Sequence, residues 1–543
     1  MKRSTAIFFV IIIFIAAMLR LIGLADIPPG VNRDEASIGY TAYSIIHTGN
    51  DEYGRKLPLS FESFGDWKLP LYIYTAVPFV ATLGVNEWAV RLPSALAGIL
   101  SVAVLFFLVR ELFASDLMAL LSAGVLAVMP WHIHISRVES ESNIAILFVI
   151  CGTLLFLHAV KYKSLTRLTL AALLFGATYF TYHGNHIFTT LYLAGLFALY
   201  GVQMTKIPKW WIAMAAGAAA VAVILSVTLF GADRTKISGI SIFGDPTTVH
   251  TKIELPRLDY ANPNGLVPKL IHNRVTFAVT TVISNYLTSY GPEFLFIRGG
   301  GNRAHNIRGY GNLHPIEAPL LLIGLVWLII NCRKKEARLI LWWMAIGAAA
   351  ASITKDAPHS NRMFAVAPSF AMAAAAGILY LRELAGDKGK TIAMMLVGAG
   401  YIFFMALYLN QYIVHFPRNE AASWGSAYRE LSSVLMSPDN REKQVIMTHP
   451  ETSPYIYLLF YSGYDPASYQ REAKRYPISR DGFTDVAGFG RFSFRPIDWA
   501  ADPGRKNTLM VVSPEETPLA LTSRIVSRIM LPDGTTAWNV LAN

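Results

Sequence analysis

AIFFVIIIFIAAMLRLIGLADIPPGVNRDEASIGY, running from Ala6 to Tyr40, places an Arg-Asp-Glu cluster a few residues after a long apolar run. A helix that crosses a bilayer needs roughly 20 mostly apolar residues, and the run that starts at Ala6 supplies them. Met1-Lys2-Arg3 ahead of it would suit a signal peptide. The apolar run is long, however, and no small-x-small cleavage site follows, so the segment reads as an uncleaved first span. Similar windows recur from end to end. Of the 543 residues, 53% are hydrophobic and only 15% charged, which excludes a single soluble domain and points to a polytopic membrane protein.

The net charge of +11 is not a nucleic-acid footprint, because the basic residues cluster between apolar segments. They sit at Lys2/Arg3, Arg110, Lys161/Lys163/Arg167, Lys206/Lys209, Arg333/Lys334/Lys335/Arg338 and Arg382/Lys388/Lys390. Cytoplasmic loops are rich in Lys and Arg, so these clusters read as the inner side of the membrane. The expected spans are then 5–24, 89–109, 116–134, 143–160, 168–182, 187–205, 210–231, 315–332, 339–354, 363–381 and 391–413. That makes eleven crossings, with the N-terminus inside and the C-terminus outside. The segments with unusual polar residues all fall on the outer side: 25–88, 132–142, 183–186, 232–314 and 355–362. Two apolar stretches, 69–85 and 275–290, read as interfacial or re-entrant. The two cysteines, Cys151 and Cys332, lie in or at the end of apolar windows and indicate no disulfide framework.

The character changes near residue 415. SAYRELSSVLMS has the pattern of an amphipathic helix, KQVIMTH and NTLMVVS those of short buried strands, and PYIYLLFYSGY fits either. PDGTTAWNVL reads as a turn followed by alternating apolar residues. The fold class expected is an all-α polytopic membrane domain over 1–414, with outer loops at 25–88 and 232–314. A water-facing α/β domain over 415–543 follows, about 130 residues and so an ordinary domain size.

Taken locally, the opening cluster is a helix start. Asn32 is an N-cap, Glu35 stands in the third helical position of a capping box, and acids in a first turn suit the helix dipole. Other polar residues also have bland local readings. Glu139 and Glu141 in RVESES fit solvated loop charges, and Lys68 fits a side chain snorkelling to the interface. His183 and His186 are spaced for one helical face and for a metal, but no cysteine or acid completes a set nearby. Arg91 in VRLPSAL fits either a phosphate ligand or an anchor for the helix end.

The order of motifs adds a family reading. RDEASIGY is followed by HTGNDEYGRKLPLSFESFGDWKLPLYIYTAV and GVNEWAVRLPSALAGI, then HISRVESESN (134–143) and YFTYHGNHIF (179–188). EFLFIRGGGNRAHNIRGYGNLHPIEAPLLLIGL (293–325) and APHSNRMFAVAP (357–368) come later. This series resembles the GT-C glycosyltransferases, and within them the bacterial protein O-mannosyltransferase and aminoarabinose (lipid A) transferase branch. It covers most of residues 1–415 in the right order, while the tail resembles outer domains of that branch only loosely.

The resemblance implies an inverting sugar transfer at the outer face of the cytoplasmic membrane. The donor is a polyprenyl-phosphate-linked sugar, and the acceptor is a protein, lipid A or another envelope glycan. The membrane lipids and the donor lipid are the implied partners, and nucleic acid is not among them. Such a reaction needs a carboxylate to take the acceptor's proton and cations to neutralise the departing phosphate. Asp34 matches the acid of the family motif, and a carboxylate of ordinary pKa, about 3.9, is ionised at neutral pH. Glu141, and next to it Glu139, match a second acid that positions the acceptor or binds a divalent ion. Lys68, Arg137, Arg362 and His359 match donor-phosphate segments, since arginine forks suit phosphate oxygens. Arg33, Glu35, Tyr40, Tyr182, His183 and His186 take supporting roles. One departure stands out: the aminoarabinose branch has Glu-Lys-Pro-Pro, whereas here Asp66 lies two residues before Lys68. Metal dependence stays open, because some relatives use a divalent cation.

Two other functions fit similar topology. A flippase or transporter of lipid-linked saccharides would keep ionisable groups near the bilayer midplane, often in repeats. Here the charges gather at one surface and no repeat is visible. An oligosaccharide ligase or polymerase would share the lipid-phosphate donor and differ in moving a whole glycan.

Overall fold

Helix-forming apolar runs dominate the first four hundred residues and strand-forming runs the last hundred, and the computed structural model follows that division. It describes residues 2–230, 239, 241–244, 247–479 and 483–542. The first part of the expected outer loop 232–314 falls largely outside them. The chain forms two compact units that alternate along the sequence. One holds Met1–Arg20, Ser94–Ser136 and Ser140–Leu409; the other holds Leu21–Pro93, Arg137–Glu139 and Asn410–Asn543.

The first unit is helical. Helices occupy all eleven of the expected spans. Among the described residues, six are long and apolar enough to cross a membrane: Arg3–Leu21, Glu87–Phe113, Glu141–Tyr162, His183–Met204, Ser360–Leu384 and Gly386–Asn419. Asp116–Val128 and Pro130–Ser136 make a seventh only as one span bent by 60°. Pro130 starts the second piece, where a proline has no N–H to continue the ladder. Leu165–Thr178 and Glu317–Ile330 have 14 residues each. At 1.5 Å per residue each rises about 21 Å, short of a hydrocarbon core of about 30 Å. The chain is thus a multi-pass membrane protein with six or seven candidate spans among the described residues, where eleven were expected.

Small residues set the packing in this unit. A Cβ on Gly324 would lie 1.9 Å from the Ala373 carbonyl oxygen, and one on Gly377 would lie 2.0 Å from that of Leu320. Helices Glu317–Ile330 and Ala367–Leu384 therefore touch backbone to backbone, as small-residue pairs permit inside membranes. The two stretches read as interfacial are both helical, Pro70–Leu83 in the second unit and Arg274–Ser289 in the first. Val275, Val279, Ile283 and Leu287 form an exposed apolar stripe along the latter at a spacing of four residues.

The second unit joins the tail to the first polar loop. Its sheet has seven strands in the order Lys474–Arg475, Val486–Phe489, Phe492–Phe494, Gln444–Met447, Thr508–Val512, Thr536–Ala542, Ile525–Met530. Gln444–Met447 is parallel to both its neighbours, and the remaining pairs are antiparallel. Thr508–Val512 is buried at every position, the mark of a strand covered on both faces. The C-terminal region is therefore a mixed β-sheet domain with helices Ala427–Leu435, Pro454–Ser462 and Pro466–Glu472. Helix Arg33–Thr48 packs on Pro454–Ser462.

Candidate active site

The Arg-Asp-Glu cluster opens helix Arg33–Thr48 through a complete capping box. The Asn32 side chain accepts from the Glu35 N–H at 2.9 Å, and the Glu35 carboxylate accepts from the Asn32 N–H at 3.3 Å. Glu35 does more than cap. It is fully buried and takes a two-pronged pair from Arg91, with Nε to Oε1 at 2.9 Å and Nη2 to Oε2 at 2.8 Å. Arg91 Nη1 donates to the carbonyls of Leu24 and Pro28, each at 2.9 Å, and Nη2 also donates to Gly30 O. All five guanidinium N–H groups are thus matched. Arg91 is an anchor for the 24–35 segment and not the phosphate ligand that was its other reading. The same segment turns at Gly30, φ +75°, where a Cβ would fall 2.8 Å from Trp424 O. The Glu139 N–H donates to Glu35 Oε1 at 3.0 Å, and Arg137 Nη2 donates to Gly23 O at 2.9 Å and Ile27 O at 3.0 Å. Buried Arg137 thus serves backbone carbonyls.

One residue away, Asp34 faces the other way. Its side chain is 55% exposed and pairs with Lys68, Nζ to Oδ1 2.9 Å. Lys68 does not snorkel: its side chain is only 7% exposed. It comes from a hairpin, Phe61–Ser63 against Asp66–Lys68, with Phe61 opposite Lys68 and Ser63 opposite Asp66. The two-residue turn has Phe64 at φ +59° and Gly65 at φ +81°. Positive φ at both positions matches the twist of a tight hairpin. Phe64, nearly fully buried, offsets its unfavourable backbone by lying 4.7 Å beneath the Arg33 guanidinium and 5.4 Å from Lys68 Nζ. Lys68 Nζ also donates to Ser63 Oγ at 3.1 Å, and Ser63 Oγ contacts Ser37 Oγ. Arg33 stacks on aromatic rings, and Lys68 is the cation on Asp34. Tyr40, buried, donates its hydroxyl to Tyr464 O at 3.0 Å.

The other expected residues belong to the helical unit. Glu141 begins helix Glu141–Tyr162, and Tyr182 is the N-cap of His183–Met204. His186 Nε2 donates to Tyr179 O at 2.8 Å, with its ring stacked on that tyrosine and 5.5 Å from the His183 ring. Arg362 donates to Thr354 Oγ1 at 2.8 Å and pairs with Asp356. His359 caps the helix Ser360–Met363 by accepting from the Arg362 N–H at 3.3 Å. Burial, with the charges of His305 and Arg362, pushes the His359 imidazole down to about 3, so it is neutral at ordinary pH. Among the described residues, no group of three His, Cys, Asp or Glu side chains is placed to hold a metal ion.

Three groups stand out that the sequence reading did not single out. Ser63 braces Lys68. Glu87 accepts from Arg429 Nη2 at 2.6 Å and Tyr461 OH at 2.9 Å. Glu52 is wholly buried, and burial raises its carboxyl to about 8. Glu87 and Glu52 find their surroundings in the distant tail, which no local motif reveals.

Residues 68–230 match the family described as Dolichyl-phosphate-mannose-protein mannosyltransferase. Over its full length the chain superposes on ArnT from Cupriavidus metallidurans in the apo state, with TM-score 0.54, 12% identity and 98% of this chain and 97% of that one covered. The chain shares the fold of that ArnT. The same ArnT bound to undecaprenyl phosphate gives TM-score 0.52 at 14% identity, covering 99% and 98% of the two chains. "Putative mannosyltransferase YycA" of Bacillus subtilis (strain 168) is 30% identical over 112 residues, which are 21% of this chain and 16% of that relative. The family match begins at Lys68 and spans Arg91, Arg137 and Glu141.

Proposed function

We propose that the protein transfers a sugar from a polyprenyl-phosphate-linked donor to an acceptor, with inversion, and that Asp34 is the general base. The observation that carries this reading is the Asp34–Lys68 pair at 2.9 Å, in which the acid is half exposed and the lysine buried. A buried ammonium beside an open carboxylate suits a site where negative charge arrives, because cations act strongly where water is excluded. Of the three N–H donors of Lys68, Asp34 and Ser63 take two, which leaves one for a phosphate oxygen. As the sugar–phosphate bond breaks, charge grows on the lipid phosphate and draws the ammonium toward it. Asp34 is then released to accept the proton of the acceptor's hydroxyl or amine as that group attacks the anomeric carbon. The ArnT structure that holds undecaprenyl phosphate supports a polyprenyl phosphate as the lipid part.

The site would lie at the outer surface of the cytoplasmic membrane, with the sheet domain outside, as the basic clusters argue. Membrane catalysis over 1–414 and acceptor contact by 415–543 is the corresponding division of labour. Glu139 and Glu141 would position the acceptor, and Arg362 would balance charge.

The test uses purified protein in detergent or lipid with labelled polyprenyl-phosphate sugars, following release of free lipid phosphate. Wild type should release it, and folded Asp34→Asn should lose a factor of about 10² to 10⁴, the usual worth of a positioned base. Equal rates in both would end the base assignment. Labelled lipid crossing vesicles without phosphate release would replace the transferase with a flippase.

A further inference from the structure

Between Ser142 and Ala232 the sequence holds no aspartate or glutamate, and its basic residues are Lys161, Lys163, Arg167, Lys206 and Lys209. The fold gathers them at one end of the helical unit. Lys161 and Lys163 close helix Glu141–Tyr162, and Arg167 is in the first turn of Leu165–Thr178. Lys206 follows the end of His183–Met204, and Lys209 precedes the start of Trp210–Phe230. Glycine contacts fix how two of these helices lie. A Cβ on Gly176 would stand 3.1 Å from the Ala220 Cβ, and one on Gly217 would stand 3.2 Å from that of Ala172. Leu165–Thr178 and Trp210–Phe230 therefore run side by side in the same direction, and the same offset sets Arg167 level with Trp211 and Ile212. Lys161 is taken by Glu111 at 2.6 Å, whereas Lys163, Lys206 and Lys209 are exposed. Arg167 rests 4.7 Å over the Tyr162 ring. Trp211 is exposed at the same level, as tryptophans are where a membrane meets water.

A cavity of about 380 Å³ lies among these four helices, and every side chain that lines it is apolar. Leu168, next to Arg167, and Met214, a little past Lys209, line its basic end, and Leu225 lines the other. From Met214 to Leu225 the helix rises about 16 Å, half of a hydrocarbon core of about 30 Å. The cavity is as deep as one leaflet. Ala218 and Ala222, both exposed, also line it, so it opens sideways.

An apolar slot of one leaflet's depth, topped by cations, is complementary to an anionic lipid. We propose that the cavity seats an acyl chain of an anionic bilayer phospholipid, with the lipid phosphate held at Arg167 and Lys209. Arginine forks two phosphate oxygens, and lysine adds a point charge. This lipid is not the sugar donor. Helix Glu141–Tyr162 has 22 residues and rises about 33 Å, so its basic end lies a full hydrocarbon core away from Glu141. A donor whose phosphate reacts near that acid belongs to the other leaflet. A phospholipid bound to the folded state stabilises it whether or not sugar transfer is the reaction.

The test mixes full-length protein in a neutral detergent with phosphatidylglycerol or phosphatidylcholine of identical chains, and native mass spectrometry counts the lipids retained on dilution. Wild type should retain phosphatidylglycerol several-fold better. Arg167→Gln together with Lys209→Gln should erase that preference, with the unfolding midpoint in lipid-free detergent unchanged. Ala222→Trp, which fills the cavity from its exposed side, should lower retention of phosphatidylglycerol with every cation in place. Equal retention of both lipids by wild type, or a preference that survives loss of Arg167 and Lys209, overturns the proposal. Retention unaffected by Ala222→Trp puts the chain elsewhere and overturns it too. Displacement of phosphatidylglycerol by an equal amount of a polyprenyl monophosphate would make the cavity a site for the donor's tail, and the phospholipid assignment would fall.

Discussion

Asp34 and Glu35 are consecutive carboxylates on the first turn of one helix, and their surroundings could hardly differ more. Glu35 is fully buried and bidentate to an equally buried arginine; Asp34 is 55% exposed and holds a single ammonium. Successive helical side chains point about 100° apart, which is enough to send one acid into the protein and leave the other at its surface. The buried pair fixes where the helix begins. The open pair has room to change partners, as the proposed proton acceptor would need.

This contrast can be broken from either side, and the effects should differ in kind. The largest concerns activity: Asp34→Asn should remove most lipid-phosphate release while the thermal unfolding midpoint stays near that of wild type. Arg91→Met should do the opposite first, lowering stability by about 3–5 kcal/mol through a stranded buried carboxylate, as read by thermal unfolding in detergent. If Arg91→Met proved as stable as wild type, Glu35 would not be the anchor described. Lys68→Gln should weaken polyprenyl phosphate binding by about tenfold or more, the scale of one lost charge-assisted bond, about 1.5–3 kcal/mol. Unchanged affinity would move the phosphate elsewhere. Asn32→Ala should cost about 1 kcal/mol of stability and leave the pH dependence of turnover alone, since it loosens the cap without touching the Asp34–Lys68 pair.

What could be read from the chain follows the distance over which each interaction acts. The capping box spans three residues, so Asn32 and Glu35 announce it. Glu35's arginine is 56 positions away, and VRLPSAL by itself cannot tell an anchor from a ligand. Lys68 drew notice through its family likeness, but SFESFGDWK did not reveal a hairpin, because its turn uses a phenylalanine where glycine or asparagine is usual. Glu52 sits in NDEYG, a stretch that looks like a solvated turn, and only burial among tyrosines from the tail makes it unusual. The tail's strands were visible as short apolar runs, whereas their mixed order in the sheet was not. The breaks in the helical unit were not visible either: Pro130 bends one expected span by 60°, and the helices near 165 and 317 are shorter than their apolar runs suggest.

The hairpin that carries Lys68 has three residues on each side, and its side chains alternate between two faces. Trp67 faces the side where Arg55 stacks on its indole at 4.7 Å and pairs with Glu62; Lys68 faces the side of Asp34. The location of the positive charge is therefore a matter of parity. Adding one residue between Gly65 and Trp67 would exchange the two faces, setting an indole against Asp34 and turning the ammonium to the other face. The lysine would still be in the chain and the hairpin could still close, yet the carboxylate would have lost its counter-ion to a miscount of one.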